Sequence, residues 1–276
     1  MKKIRLTGLA LAVLLFANSC STVPLTGRSR LSFVSESEMQ TAAAQSYNTL
    51  LKDPATTVLN NADATRVKRI GQQIATAVTK YMNANGYSEQ IKGFNWEFNL
   101  IKSEEVNAWC MPGGKVAVYS GILPVTKDDA GLATVMGHEI AHAIAQHSSE
   151  RASKAAVAEG VGSLIGAAAG NQSAAIQTGI NQAYGIGAQG FVLLPNSRKQ
   201  ELEADHLGLI FMSMAGYNPS TAVSFWQRMA TASASSSKPP EWMSTHPADA
   251  TRIAQIQKDL PEAQKYFKST TGKPVK

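Results

Sequence analysis

The chain has 276 residues, 44% of them hydrophobic, with 26 Lys and Arg against 20 Asp and Glu and two cysteines. That apolar share supports a sizeable core and argues against a disordered chain, while two cysteines rule out a disulfide framework. The basic excess forms no long block and has no interleaved aromatics, so nothing points to nucleic acid as a partner.

In chain order, Lys2, Lys3 and Arg5 precede an apolar run over 9–16, and small residues lead to Cys20. Residues 1–19 therefore read as a signal peptide, its apolar part too short to remain in a bilayer as a helix. Removing it leaves 257 residues (276 less 19) with 23 basic against 20 acidic, a net charge of +3. Asn18-Ser19-Cys20 resembles a lipoprotein cleavage site, with Cys20 the lipidated N-terminus and membrane anchor; plain secretion is the alternative. Residues 20–34 then form a lipidated tether. Cys110 is left as a free thiol, expected to be a buried small hydrophobe rather than a redox group.

Ser35 with Glu38 can box the start of a helix over 35–51, and a second helix is expected over 63–82. Phe94, Trp96, Phe98 and Leu100 alternate with Asn95, Glu97 and Asn99, the period of a half-buried strand. Residues 106–111 and 115–120 flank Pro112-Gly113-Gly114 as a hairpin. Asp128 and Asp129 mark the start of a helix that is apolar nearly all round over 130–144 and should be buried. Residues 155–190 are rich in Ala, Gly, Gln and Asn, and the stretch is broken by Glu159. Its apolar run is too short to favour a membrane span, and the segment is expected to be a mobile cover over the cleft. After Pro195-Asn196 come helices over 198–215 and 219–233, a small-residue linker over 232–238, and a last amphipathic helix opened by Pro247. One domain thus occupies 35–262, with a flexible tail over 263–276.

The buried helix carries His138-Glu139-Ile140-Ala141-His142. Four residues advance a helix by roughly 400°, so the two imidazoles lie one turn apart on one face and can share a metal ion. Glu139 sits too obliquely to be an easy ligand, but it can take a proton from water acidified by zinc. A buried Glu139 with no partner would be costly, and a metal site supplies the partner. Catalytic zinc takes three protein ligands, so one more is needed. His147 lies roughly 900° past His138 if the helix continues, which turns it to the opposite face as a polar helix-end residue. Glu201 and Asp205 share a face of the 198–215 helix. Glu201 is expected as third ligand, Asp205 as the acceptor that orients a zinc histidine, and Gly208 as a point of close helix approach. Glu203 and His206 fall off that stripe, so Glu203 is expected to be dispensable.

His-Glu-x-x-His followed by Ser-Arg-x-x-Glu-x-x-Ala-Asp resembles the zinc metallopeptidase family, number forty-eight, of the CAAX prenyl endopeptidases and HtpX. Val23-Pro24-Leu25-Thr26-Gly27-Arg28, the stretches 106–108 and 113–121, and His246-Pro247 with Arg252-Ile253 are similar to its periplasmic lipoprotein members such as LoiP and BepA. The resemblance implies a mainly helical α+β zincin, gluzincin-like, with a small sheet whose edge flanks the active site. It implies one zinc ion per chain on His138, His142 and Glu201, Glu139 as general base, and His246 facing the site as a transition-state donor or as a reversible fourth ligand. Asn107 and Ala108, at the sheet edge, are expected to bind substrate as an added strand.

The function this implies is hydrolysis of internal peptide bonds in unfolded or misfolded cell-envelope proteins by a zinc metalloendopeptidase. Its expected address is the bacterial cell envelope, lipid-anchored on the periplasmic face of the outer membrane. The alternative is a lipid-anchored chaperone or assembly factor whose zinc site is latent.

Overall fold

A computed structural model of the chain describes residues 20–158, 176, 197–234, 242–243, 246 and 250–271. The signal peptide expected at 1–19, the linker over 235–238 and Pro247 lie outside them. So does most of the 155–190 cover, where Ile176 is described beyond residue 158 and is buried.

β1 (Cys20–Thr22) pairs antiparallel with β2 (Ser29–Leu31). The turn between them closes on Val23 N–H to Arg28 O at 2.8 Å and Gly27 N–H to Val23 O at 2.9 Å. The tether expected at 20–34 is therefore folded structure, because Val23 and Arg30 are buried and the turn satisfies its own backbone. α1 (Glu36–Lys52) follows Ser35 as expected, but the box with Glu38 does not form, since Ser35 Oγ meets Ser37 Oγ at 2.8 Å. α2 (Ala62–Ala84) is capped by Asn61 and buries Val67, Ile70, Ile74, Val78 and Met82, a single stripe at helical spacing.

β3 (Glu97–Ile101), β4 (Ala108–Met111) and β5 (Lys115–Tyr119) form a sheet of order β3-β5-β4. β3 runs parallel to β5, and β4 is its antiparallel hairpin partner. Gly113 and Gly114 supply the expected turn, with φ of +80° and +84° that only glycine adopts easily. The period of two sends Phe98, Leu100, Ala108, Cys110, Val116 and Val118 into the main core. Trp109, Met111, Ala117 and Tyr119 face the other way, onto Met39, Ala43 and Tyr47 of α1. Both faces are covered, and β4 remains an edge.

After the short α3 (Leu123–Thr126) comes α4 (Asp129–Ile144), whose N-cap Asp128 accepts from Gly131 N–H at 2.8 Å. Every residue from Gly131 to Ile144 is buried. α5 (His147–Ala158) and α6 (Arg198–Met214) follow, the latter opened by a capping box of Ser197 and Gln200. α4 and α6 cross at glycine: a Cβ on Gly208 would lie 2.8 Å from His138 N, and one on Gly137 would lie 2.8 Å from Gly208 O. α7 (Thr221–Ala234) and α8 (Ala250–Thr271) pack around them. The tail expected at 263–276 is helical as far as Thr271. Ile256, Leu260, Ala263 and Phe267 recur every three or four residues and bind that turn of helix to the core, past Pro261. The chain is thus a mainly helical α+β domain.

Candidate metal centre

One turn of α4 brings His138 Nε2 and His142 Nε2 to 3.0 Å. Across the glycine crossing, Glu201 of α6 places Oε2 3.4 Å from His138 Nε2 and Oε1 3.4 Å from His142 Nε2. His246 completes the group, its Nδ1 3.2 Å from His138 Nε2 and 3.0 Å from each Glu201 oxygen. All four residues are buried, and their ligand atoms lie within 4.8 Å of one another. Zinc holds nitrogen and oxygen ligands at about 2.0–2.1 Å, which makes the edge of a tetrahedron about 3.3 Å. The observed separations of 3.0–3.4 Å bracket that edge. Four buried lone-pair donors converging on one point fit a zinc ion.

The charges are arranged for a cation. Burial penalises a charged His138, but Asp205 and Glu201 outweigh it and raise the group to about 9. Burial holds His142 well below the usual histidine range. Burial pushes the Glu201 carboxyl up, yet His246, His142 and His138 overcome this and hold it well below the usual carboxylate range. Glu139, 3% exposed, has its proton affinity raised by burial.

Asp205 Oδ1 lies 3.0 Å from His138 Nδ1, within reach of the ring it is expected to orient, with the N–H not aligned for a hydrogen bond. Arg252 of α8 grips Asp205 with two bonds of 2.7 Å, reaches Glu201 Oε2 at 3.0 Å, and lies 3.8 Å over the Trp226 ring. Its buried charge is thereby fully partnered. Trp242 Nε1–H donates to Glu139 Oε1 at 2.7 Å, and His246 Nε2 is 3.6 Å from the same oxygen. Trp242 N–H also donates to Val106 O at 3.2 Å, and His246 N–H to Trp242 O at 2.8 Å, which ties both residues to the segment that leads into β4. Ala108 begins β4, and both Asn107 and Ala108 are buried and stand outside the group of metal donors. Asn107 Nδ2 has no hydrogen-bond partner among the described residues. Cys110 is buried, and burial, then the nearby Glu139, keeps its thiol protonated, as an inert small hydrophobe requires.

One expectation fails. His147 does not face away from His142: its Nδ1 lies 2.7 Å from His142 Nδ1, and it is completely buried. The reason is Gln146, whose φ of +54° ends α4 and restarts the helix in a new direction, so the assumed continuous phase does not apply. Glu203, expected off the metal stripe, is not among the converging donors, yet it is 8% exposed and binds His147 at 2.9 Å and Arg28 at 2.7 Å. His206 stays apart from the site, paired with Asp259 at 3.4 Å. Arg252 could have been found from the motif that contains it. For His147, Glu203 and Trp242 helical periodicity holds no signal.

Residues 62–260 match the description "Peptidase family M48". The mitochondrial metalloendopeptidase OMA1 of Saccharomyces cerevisiae is 30% identical over 255 residues, 90% of this chain and 71% of the yeast protein. That of Schizosaccharomyces pombe is 34% identical over 245 residues, covering 88% and 67%. The beta-barrel assembly-enhancing protease of Escherichia coli is 28% identical over 192 residues, 65% of this chain and 38% of that protein. The expected address, a bacterial envelope with a lipid anchor on Cys20 at the outer membrane, is corrected by these findings. The relatives aligned over about nine-tenths of the chain are named as mitochondrial proteases.

Proposed function

Because the chain belongs to peptidase family M48 and is a zinc-dependent metalloendopeptidase, we propose that His138, His142 and Glu201 hold its zinc and that Glu139 is its general base. The observation that carries the assignment is the convergence of these donors at 3.0–3.4 Å with the Glu139 carboxyl beside them. Bound zinc supplies a Lewis acid that polarises the scissile carbonyl and acidifies water. Glu139 removes a proton from the attacking water and returns it to the departing amine nitrogen as the C–N bond breaks. Its raised proton affinity suits a group that must both take and give that proton. Asp205, fixed by Arg252, orients His138.

Substrate is proposed to enter as an extended segment against β4, with Asn107 and Ala108 at the point of contact. That mode favours unfolded or misfolded proteins, which can offer such a segment, and a role in protein quality control. His246 is proposed as a reversible fourth ligand. Its Nδ1 separations of 3.0 and 3.2 Å from the other donors support this over a transition-state role, and Trp242, whose carbonyl accepts from His246 N–H, engages both the base and the segment that leads into β4.

Metal analysis and casein hydrolysis of two variants test the assignment. Glu139→Gln should retain about one zinc per chain and lose hydrolysis by roughly 100-fold or more, while Glu201→Ala should lose most of its zinc. Full metal loading in Glu201→Ala, or chelator-resistant cleavage by the parent protein, would overturn it.

A further inference from the structure

We propose that the turn between β1 and β2 belongs to the metal centre: Thr26 and Arg28 fix Glu203, Glu203 fixes His147, and His147 sets the orientation of His142 toward zinc. The proposal rests on the reading of His142 as a ligand. The turn lies outside the stretch 62–260 that matches the family, and the proposed chemistry above makes no use of it.

The contacts form an unbroken line. Thr26 Oγ–H donates to Glu203 Oε1 at 2.7 Å, and Arg28 Nε–H bridges both carboxylate oxygens at 2.9 and 2.8 Å. His147 Nε2 lies 2.9 Å from Glu203 Oε2, and His147 Nδ1 lies 2.7 Å from His142 Nδ1. Proton placement follows from one requirement. If His142 turns the Nε2 lone pair to the metal, its proton is on Nδ1 and must be donated to His147 Nδ1. His147 then carries its own proton on Nε2 and donates it to Glu203. Each link points outward from the metal and ends on a carboxylate that Arg28 neutralises. Reversing any link would leave two N–H groups or two lone pairs facing each other in a buried site.

The turn is built for this delivery. Leu25, a residue with a side chain, is held at φ +65°, and Gly27 at +64°, which brings Thr26 and Arg28 to the same carboxylate. His138 has its counterpart in Asp205 and Arg252. Both histidines of α4 therefore end on a carboxylate held by an arginine, directly for His138 and through one imidazole for His142. Such outer partners fix ring orientation and raise ligand basicity, with effects on metal affinity of about 10–100-fold.

A purely structural ion pair is the competing explanation, and Glu150 separates the two. Arg28 also bonds Glu150, at 3.1 and 2.9 Å, but that carboxylate reaches His147 only at its backbone carbonyl and through Gln200, whose Nε2 lies 3.1 Å from Glu150 Oε2 and 3.4 Å from His147 O, so it does not touch the imidazole nitrogens. Zinc affinity by chelator competition and the visible spectrum of the cobalt-substituted full chain should be measured alongside thermal stability. Glu203→Gln and His147→Leu are expected to weaken zinc by about 10–100-fold and to shift the cobalt bands. Glu150→Gln should lower stability yet leave affinity within about twofold, and His147→Asn, which keeps an acceptor for His142, should recover much of the loss. Arg28→Lys, which keeps the charge without the fork, serves if a stronger change prevents folding, and an intermediate loss is expected. Unchanged affinity and spectrum in Glu203→Gln and His147→Leu, or equal loss in Glu150→Gln, would overturn the proposal. Failure of the parent protein to bind zinc would instead overturn the metal-site reading beneath it.

Discussion

Replacing Gly208 with alanine adds one methyl group where α4 and α6 cross. Its carbon would sit 2.8 Å from His138 N, 3.0 Å from His138 Cα and 3.1 Å from Gly137 C. Comfortable carbon contacts lie at about 3.5–4.0 Å. All three obstacles are backbone in the middle of a helix and cannot swing aside, so the helices must part by on the order of 0.7 Å. Alanine gains about 1 kcal/mol over glycine in helix propensity, and overpacking costs about 1–3 kcal/mol, which leaves a net loss of up to about 2 kcal/mol. For a domain of this size that lowers Tm by a few degrees. The metal site should suffer more. Glu201 rides on α6 about two turns before Gly208, so the same parting stretches its 3.4 Å separations from both histidines toward about 4 Å, past the tetrahedral edge. Thermal unfolding with and without zinc, together with chelator competition, should show a zinc-dependent gain in Tm that shrinks far more than the metal-free Tm falls. A Gly208→Ala protein that binds zinc as tightly as the parent, with the same gain in Tm, would refute the claim that this crossing sets the ligand geometry.

Two further outcomes are expected. Burial raises the Glu36 carboxyl from 4.5 to about 7, although Ser149 Oγ–H donates to it at 2.6 Å. The unfolded chain therefore ionises this group first, and its penalty on folding grows between pH 4.5 and about 7 and stays constant above. Glu36→Gln should raise Tm at about pH 8 and change it little near pH 4.5, and a gain of equal size at both would contradict that linkage. His246→Ala should keep its zinc and cleave casein as fast as the parent or faster. A loss of roughly 100-fold with zinc retained would make His246 a transition-state donor instead.

What the sequence reveals about this site is what helical spacing can encode. His138, Glu139 and His142 stand in one turn of a single helix, and Glu201 and Asp205 are likewise four apart, so their common faces follow from 3.6 residues per turn. His246 comes from a distant segment and is reachable only through family resemblance. His147 escapes because one left-handed residue, Gln146, reorients everything after it, and hydrophobic periodicity cannot register a single backbone angle. Glu203 escapes for a different reason. α6 is enclosed on several sides, so it has a second functional face, turned to Arg28, where an amphipathic reading sees only solvent. In the fold, the long helices and the β4–β5 hairpin follow from patterning. The folded turn at 23–28 does not, because six residues are too few to show a period and their stability comes from partners far along the chain.

Those partners carry a consequence for how the enzyme comes into being. His246 is 108 positions beyond His138, and Arg28 is 175 positions before Glu203. A partial chain that stops short of His246 lacks one of the four converging donors. The metal donors on α4 and α6 and the partners that hold them therefore come together late, once most of the chain has been made. Zinc that binds only the assembled form then acts as a latch on completed folding, deepening the native well by RT ln(1 + [Zn]/Kd) and leaving earlier species untouched.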